Sequence, residues 1–554
     1  MIRSGRVPAV ALAIAAGLVL ADASVVTLGL PELLAELHTT IVGVAAVIGV
    51  YTAVLALTLL PASRVVRRLG ARRTGTGGLV VVAASSLLCA RADDLALLLA
   101  GRAIQAVGGA AALMAIFALL HVEAQPRRRL WLVAAVLGTA VGPAVGGALT
   151  QAFDWRAIFI AQIPIALAGA LACLLEREPA PEAPPSTAQP LRLGPAVALG
   201  SVSAALTGVL LLLVLLLVAG WNLDPLAAAG IVTVLPIGAV AGSRITGSSA
   251  ATRAAAGCLL VAGGVLALAW LPGASAWWTI APQLLAGVGM GMSLPALGGE
   301  LLPERTGHEA ALLLTIRHAG IVLALVLIAP IAAHRLTTST EQAKLQGVAL
   351  VLDAKLPPLD KLRVAPKLLS AVQSQEPRRT LSDGFARERA SFDGDDRRTF
   401  DSLGGRADDL LVEAIGNAFL PAFLIAGALA LLGAAALAGS VRFGAGLAAA
   451  LALTVATPLA YAAIRGSTGP APLRIADPCK PRPSPSSGGL DGFLQDQALK
   501  ALDSVACKNG SSREALVLAL ASPKEARKYE RRYGFNPRSA GGIFEQAKRL
   551  LGLD

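Results

Sequence analysis

The sequence predicts an all-α protein that crosses a membrane many times, and three observations support this. Hydrophobic residues make up 55% of the 554 residues and charged residues only 15%, and the mean hydropathy of +0.66 is too high for a soluble chain of this length. Apolar runs recur along the chain, and about 20 apolar residues suffice for a helix to cross a bilayer. Arginines gather in short segments between alternate runs, as in multi-pass membrane proteins.

About thirteen apolar runs are candidate membrane spans. Arg3 and Arg6 precede the first run. This run is long and lacks a small-residue cleavage site, so we interpret it as a retained helix rather than a signal peptide. The candidate spans are residues 7–30, 41–62, 78–90, 95–120, 130–153, 158–175, 195–219, 225–242, 254–271, 280–301, 310–332, 419–438 and 444–464.

The charges between the runs predict the orientation of the chain. Arginines are concentrated in 64–73, after the second run, and in 127–129, after the fourth, whereas Glu32 and Glu36 follow the first run. The positive-inside rule therefore predicts a cytoplasmic N-terminus. Because these loops account for much of the net charge of +12, the charge indicates orientation and not nucleic acid binding.

The sequence argues against ATP as an energy source. The first lysine is Lys344, so the membrane runs before it cannot contain a G-K-[ST] phosphate-binding loop, and none follows. An ion gradient is the expected energy source. The sequence predicts no cofactor, no metal site and no catalytic group, so we do not expect an enzyme.

The spacing of runs and polar segments predicts the domain organisation. About six runs precede a Pro/Ala/Glu-rich segment that is typical of a linker, and about six follow it. With the N-terminus inside, the polar insertion at 334–410 and the C-terminal tail both lie outside the cytoplasm. The expected parts are a membrane half (1–175), a cytoplasmic linker (176–194), a second membrane half (195–438), an extra membrane helix (439–464) and a small helical extracytoplasmic domain (465–554).

The tail is predicted to be helical and cross-linked. The Ser511 to Glu514 segment fits a capping box that begins a helix. Cys479 and Cys507 are the only cysteines in the tail, and outside the cytoplasm they are free to form a disulfide, worth about 3 kcal/mol. The tail has no histidine, which disfavours a metal site. The other three cysteines lie in apolar runs, where burial as small hydrophobic residues is expected.

The fifth run contains a regular glycine pattern. Gly138, Gly142 and Gly146 recur every fourth residue, so on a helix they form one face that lets a partner helix approach closely. Pro143 removes a backbone donor beside this face and bends the helix. A generic small-residue packing motif explains the glycines alone, but it does not explain the proline. Gly147 directly follows Gly146 and belongs to the same motif.

Two charged residues lie inside apolar runs. Asp22 is in the first run, where an ionised carboxylate needs a cavity, a partner or a proton. Arg102 in the fourth run is the natural partner, and Gln105 lies one turn further along the same face. The alternatives are a purely structural ion pair for Asp22 and a snorkelling side chain for Arg102.

Three motifs carry a family resemblance. G-T-A-V-G-P-A-V-G-G (138–147), followed by D-W-R (154–156), resembles the fifth-helix antiporter motif of drug/proton antiporters in the major facilitator superfamily. L-A-D-A-S-V-V-T-L-G-L-P (20–31) resembles the first-helix motif, with Thr27 in place of the usual asparagine. G-R-A-I-Q-A-V-G-G (101–109) resembles the fourth-helix motif, whose arginine is implicated in proton transfer.

The resemblance implies the major facilitator fold, with two six-helix halves that enclose a substrate cavity. Here a thirteenth helix and the tail domain are additions. It also implies proton-coupled export of lipophilic or cationic small molecules, with Asp22, Arg102 and Gln105 at the coupling or substrate site. We expect a monomer in the plasma membrane, whose partners are substrate, protons and lipid.

The segment after the second run partly matches the cytoplasmic gating motif of the same superfamily. Gly70, Arg72 and Arg73 are retained, but Ser63 replaces the first glycine and Arg67 stands where an aspartate is expected. In the family that aspartate helps to latch the gate, so the usual latch is in question. A simple positive-inside loop explains the arginines nearly as well.

The eleventh run adds Arg317 and His318. His318 is a second candidate for proton coupling, because histidine titrates near neutral pH. Arg317 fits either a cavity position or snorkelling to the interface. With aromatic residues at only 4%, no large aromatic cage for flat cations is evident.

Two other functions stay open at this stage. One is transport of a specific metabolite by the same fold. The other is a non-transporting sensor or assembly protein whose exterior segments bind a protein partner, which the large insertions and the altered gating motif favour. An intact Asp22 and antiporter motif favour export.

Overall fold

The structure is a computed structural model that describes residues 6–120, 130–131, 142–179, 191–302, 306–357, 360–361, 364, 377–468, 475–482 and 489–539. Within these ranges all regular structure is helical, which confirms the predicted all-α fold. Twelve helices there are long and apolar enough to cross a membrane. The protein is therefore a multi-pass membrane protein. The predicted fifth span lies partly outside the described residues, and its described part is helical over 142–152.

Nineteen helices are described, and short π or 3₁₀ segments adjoin several of them at Leu215–Gly220, Leu268–Trp270, Ala296–Leu301, Arg389–Ser391 and Ala438–Ser440. They are α1 (Arg6–Thr27), α2 (Leu30–Glu36), α3 (Ile41–Leu69), α4 (Ala71–Ala90), α5 (Leu95–Leu119), α6 (142–152), α7 (Arg156–Leu175), α8 (Leu193–Val214), α9 (Pro225–Val232), α10 (Val234–Gly242), α11 (Ala250–Ala267), α12 (Trp277–Pro295), α13 (Gly307–Asp353), α14 (Pro377–Glu388), α15 (Gly394–Ala436), α16 (Ala445–Thr468), α17 (Gly489–Lys508), α18 (Arg513–Ala521) and α19 (Pro523–Tyr533).

Helix ends differ from the apolar runs where local chemistry sets the boundary. Thr40 and Asp94 cap α3 and α5, accepting hydrogen bonds from Gly43 N at 3.1 Å and Leu97 N at 2.8 Å. Helix α13 continues about 20 residues past the predicted end of its span, and α15 begins well before its span. An apolar run ends where side chains become polar, whereas a helix ends only where its backbone bonding stops.

Residues Met1–His334 and Phe419–Thr468 form one compact unit, which contains the membrane helices. Helix α5 packs against α3 and α4, and α12 packs in the same way against α10 and α11. Both crossings of adjacent helices use glycines: a Cβ at Gly78 would meet the Gly108 carbonyl at 2.7 Å, and one at Gly257 would meet the Gly289 carbonyl at 2.6 Å. Such close contact is how helices associate in lipid.

The additional helix α16 belongs to this membrane unit. The Thr454 hydroxyl donates to the Leu259 carbonyl at 2.7 Å, and the Tyr461 hydroxyl donates to the Trp278 carbonyl at 2.8 Å. A Cβ at Gly263 would meet the backbone of Thr454. Helix α16 is thus fixed to α11 and to the start of α12 by close packing and hydrogen bonds.

Residues Arg335–Ala418 and Gly469–Asp554 form a second compact unit. The polar insertion and the C-terminal tail, which the sequence presented as separate segments, are therefore joined. Ion pairs link them: Lys344 lies 3.3 Å from Glu525, and Arg513 lies 2.6 Å from Asp353. These four residues lie on α13, α18 and α19.

The tail part of the second unit has its own small core. Val505, Ala506, Leu516, Ala519 and Tyr529 are buried together, and a disulfide joins Cys479 to Cys507 across 28 residues of sequence.

The predicted capping box is wrong in its register. Ser512 caps α18 by accepting from Ala515 N at 3.1 Å, whereas Ser511 Oγ turns inward, 2.5 Å from the Tyr529 hydroxyl. Glu514 accepts from Arg482 at 2.9 Å instead of bonding back to a cap. Arg482, whose side chain is 10% exposed, offers this carboxylate a stronger partner than the helix end does.

We predict that Cys479 and Cys507 are oxidised and face the outside of the cell. On intact cells, a membrane-impermeant thiol reagent should label them only after treatment with an impermeant reductant, because the positive-inside rule predicts that this unit lies outside the cytoplasm. The double variant Cys479→Ser/Cys507→Ser is the blank. Labelling that appears only after lysis would place the tail in the cytoplasm and contradict the predicted topology.

Candidate functional site

A buried ion pair lies at the centre of the N-terminal helices. The Asp22 carboxylate on α1 contacts the Arg102 guanidinium on α5, and the two residues are 2% and 0% exposed. Arg102 Nε also donates to the Val47 carbonyl of α3 at 3.1 Å. The Tyr51 ring lies 4.2 Å from the guanidinium. Burying either ion alone would cost several kcal/mol, so the pairing is required for both.

Three uncharged polar side chains extend this pair. Arg102 Nη1 donates to Gln105 Oε1 at 2.6 Å, Gln105 Nε2 donates to Gln162 Oε1 at 2.6 Å, and Gln162 Nε2 donates to Asp22 Oδ1 at 2.9 Å. Ser86 on α4 bonds to both glutamines. The sequence predicted Asp22, Arg102 and Gln105 at one site, and the structure brings them together. It did not identify Gln162 or Ser86, although a glutamine inside the apolar run F-I-A-Q-I-P is a detectable signal.

A cavity lies beside this network, with about 970 Å³ of empty space when open solvent is counted. Its walls come from helices before and after the linker and are largely apolar. The polar lining residues include Ser203 on α8, whose buried hydroxyl has no hydrogen-bond partner among the described residues. The lining residues are Val19, Leu20, Ala23, Ser24, Thr27, Tyr51, Thr52, Pro143, Ser203, Leu206, Thr207, Leu210, Val232, Leu235, Pro236, Met290, Leu294, Arg317, His318 and Ile321.

The ion pair is one layer behind the cavity wall. Ala23, next to Asp22 in the chain, lines the cavity, and so does Tyr51, whose ring covers Arg102. The Tyr51 hydroxyl donates to the Val19 carbonyl at 3.1 Å, which ties α3 to α1 at this wall. A small rearrangement of α1 against α3 would therefore change the access of Asp22 to the cavity.

Arg317 and His318 are both cavity residues. His318 Nδ1 lies 2.6 Å from the Leu314 carbonyl, so this nitrogen carries a proton, because a carbonyl only accepts. Arg317 also takes part in a polar interaction of its own. The structure places these two residues on the cavity wall, apart from the Asp22 network.

The glycine face of α6 contacts both sets of helices. A Cβ at Gly142 would overlap the Ser24 side chain, and one at Gly146 would overlap the Val25 carbonyl, both on α1. A Cβ at Gly147 would meet Ala229 Cβ at 2.6 Å and the Pro225 carbonyl at 2.9 Å, both on α9. Pro143 lines the cavity, and Gly138 lies outside the described residues. Helix α6 therefore packs tightly between α1 and α9.

Glu36 at the end of α2 orders the start of α7. It accepts from Trp155 Nε1 at 2.6 Å and from Arg156 Nη1 at 2.7 Å, the residues that follow the glycine motif. Burial opposes ionisation of Glu36, but the hydrogen bonds from Arg156 and Trp155 hold its pKa below the usual value. The segment that follows the first span is thereby fixed to the segment that follows the fifth span through a charged contact.

The segment around Gly70, Arg72 and Arg73, which partly matches the gating motif, has an acidic partner that the motif does not indicate. Gly70 joins α3 to α4 with a φ of +88°, a conformation that favours glycine. The Glu178 carboxylate, which follows α7, accepts from Ala71 N and from Arg72 N at 3.1 Å, and Arg72 donates to the Leu174 carbonyl. Arg73 is exposed. A carboxylate thus occupies the positive end of α4 although position 67 is an arginine.

Comparison with known proteins gives matches in sequence and in structure. Curated relatives include "Putative multidrug resistance protein MdtD" from Serratia proteamaculans, 31% identical over 28% of this chain and 33% of its own length. "Methylenomycin A resistance protein" from Bacillus subtilis is 30% identical over 28% and 36%. "Multidrug resistance protein B homolog" from Mycobacterium tuberculosis is 34% identical over 26% and 28%. The match thus spans about a third of the length of these relatives.

Two solved structures share the fold. Both are of a bacterial homolog to the human lysosomal transporter Spinster, inward-facing, one unoccupied and one occupied. Their TM-scores are 0.54 and 0.55, with 15% identity. They cover 80% and 79% of this chain, and 99% and 98% of their own. At this identity the likeness establishes the fold alone.

The family profile described as Major Facilitator Superfamily matches residues 12–325, which include Asp22, Arg102 and the glycine face of α6. The resemblance carried by the three sequence motifs is confirmed at the level of the family. Because the match covers more than half of the 554 residues, the chain belongs to the major facilitator superfamily.

Proposed function

We propose that this protein is a proton-coupled secondary transporter that exports lipophilic small molecules across the plasma membrane by alternating access. One observation carries the proposal: the buried ion pair of Asp22 and Arg102 lies directly behind a largely apolar cavity. An ionisable group inside a membrane bundle is a functional site by default. A single chain provides both features, so we expect it to act as a monomer.

Asp22 is the proposed proton carrier. When ionised, it is held by Arg102 and Gln162. When protonated, it loses its attraction to Arg102, and the helices that carry the two residues are free to separate. Proton binding from outside and proton release inside then drive opposite rearrangements of α1 against α5, and substrate leaves in exchange.

Close packing of α6 supports alternating access. Its glycines, which have no side chain of their own, contact α1 on one side and α9 on the other. Helices in such contact can slide or rock without large side chains interlocking, as exchange between inward-open and outward-open states requires. The contact between Glu178 and the start of α4 is the proposed latch of the gating segment.

The cavity wall favours lipophilic substrates. Three of its hydroxyls are already used within their own helices: Ser24 donates to Ala21 O at 2.7 Å, Thr27 to Ala23 O at 2.6 Å and Thr52 to Ile48 O at 2.7 Å. Among the described lining residues, Arg317 carries the one formal charge. This lining supports the lipophilic part of the predicted substrate class and gives no support to its cationic part. Resistance to drugs, named for the curated relatives, is consistent with export.

We predict that Asp22→Asn abolishes uphill export. Efflux of a panel of neutral and cationic fluorescent dyes and drugs from cells should fall at least tenfold, to the rate seen with a proton uncoupler, because asparagine cannot exchange a proton. Asp395→Asn removes a carboxylate from the exposed pair with Arg398 and should leave efflux unchanged. Unaltered uphill efflux by the Asp22→Asn protein would refute the coupling role.

We predict that Gly146→Leu stops transport. Even one added carbon overlaps the Val25 carbonyl, so leucine must push α6 away from α1. Gly230→Leu on α9 is the matched control, because a Cβ there meets nothing within 4 Å. Efflux should be compared at equal amounts of protein in the membrane, for variants that are monodisperse when purified. Gly146→Ala is a milder variant, and we expect it to transport more slowly than the parent. Parent-like transport by Gly146→Leu would show that the close contact is dispensable.

A further inference from the structure

Gln162 and Gln105 form a hydrogen-bonded chain whose direction is fixed at both ends. A guanidinium only donates, so Gln105 must turn its oxygen to Arg102 and its NH₂ to Gln162. Gln162 must then offer its oxygen to Gln105 and its NH₂ to Asp22. The amide orientations follow from chemistry, without any choice between nitrogen and oxygen positions. Every donor in the chain therefore points towards the Asp22 carboxylate.

A proton on Asp22 conflicts with this arrangement. Oδ2 contacts Arg102 and Oδ1 accepts from Gln162 at 2.9 Å, so a proton on either oxygen meets a donor. A proton on Oδ2 displaces Arg102 directly. A proton on Oδ1 requires Gln162 to turn its oxygen to Asp22, which presents its NH₂ to the NH₂ of Gln105. Gln105 must then turn as well and presents its NH₂ to Arg102. Either route weakens the hold on Arg102, because one of its acceptors, Asp22 Oδ2 or Gln105 Oε1, is lost.

We propose that Gln162 is the positioning residue that sets the proton affinity of Asp22 and, through Gln105, transmits its protonation state to Arg102. The proposal rests on the proposed function, in which Asp22 carries the coupling proton. Gln162 is 2% exposed, Gln105 is 1% exposed and Ser86 is 0% exposed, so water does not replace a missing partner. Asp22, Ser86, Gln105 and Gln162 belong to α1, α4, α5 and α7. A change in the protonation of Asp22 on α1 therefore alters hydrogen bonds on three other helices.

The other ionisable groups near Asp22 do not provide this link. Tyr51 on α3 donates its hydroxyl to the Val19 carbonyl, and the buried Cys89 thiol on α4 lies 3.9 Å from the Leu98 carbonyl. Both interact electrostatically with Asp22 and Arg102. Helix α7 presents Gln162 and the Phe159 ring, and α13 presents Arg317 and His318 to the cavity. Among the side chains named in this paragraph, Gln162 is the one that donates directly to the Asp22 carboxylate.

The test is an infrared pH titration of the purified full-length protein in lipid vesicles. The protonated carboxyl stretch of Asp22 is assigned by its absence from Asp22→Asn. Gln162→Met keeps the approximate volume but removes the donor, so Asp22 should hold its proton to higher pH, with the midpoint raised by about one pH unit. Gln283→Met is the matched control: Gln283 on α12 is also buried, but it bonds to Thr279 at 2.9 Å, and this variant should not move the midpoint.

A second variant controls for the possibility that Gln162→Met perturbs the fold. Gln162→Asn keeps a buried amide but cannot reach both Gln105 and Asp22, so it should move the midpoint in the same direction. If the parent band titrates and neither Gln162 variant moves its midpoint relative to Gln283→Met, the role of Gln162 is refuted and the proposed function stands. If the parent shows no titrating Asp22 band while uncoupler-sensitive efflux persists, both the role of Asp22 and the inference fall.

Discussion

The cost of burying charge organises the N-terminal membrane helices. Neither Asp22 nor Arg102 is stable alone in a low-dielectric interior, where an unpaired ion costs several kcal/mol. Helices α1 and α5 must therefore bring the two together, α3 must supply the Val47 carbonyl for a further donor, and α7 must supply Gln162. One ion pair thus fixes the relative placement of four helices, and any change in its charge state acts on all of them.

Close contacts between backbones hold the helices that the ion pair does not. Lipid provides no hydrophobic force between membrane helices, so association depends on fit and hydrogen bonds. Gly78 and Gly108 bring α4 against α5, and Gly257 and Gly289 do the same for α11 and α12. The same kind of contact at Gly146 joins α6 to α1, beside the ion pair. Close crossings within groups of helices, and a glycine contact beside the cavity, fit the alternating access that we propose.

The second unit depends on different forces. The apolar core of its tail part, around Val505, Leu516 and Tyr529, is small, and small cores need additional constraints. The disulfide between Cys479 and Cys507 restricts the unfolded chain. Ion pairs supply specific contacts: Arg513 reaches Asp353 on α13, so the tail is bonded to the insertion. Two polar segments distant in sequence thereby share one folded unit.

The sequence by itself determined the helical membrane fold, the family and most residues of the proposed coupling site. Hydropathy sets where helices cross a bilayer, and a charge inside an apolar run is costly enough to identify Asp22 and Arg102 as partners. Gln162 was missed at the level of sequence, although a glutamine inside an apolar run is a signal, and Glu178 was missed as well. The partners of these two residues depend on which side chains lie near them in space. The sequence also could not show that the insertion and the tail form one unit. Those features were decided by tertiary structure, since hydrogen bonds and ion pairs depend on distances between residues far apart in the chain, and residue order alone does not specify those distances.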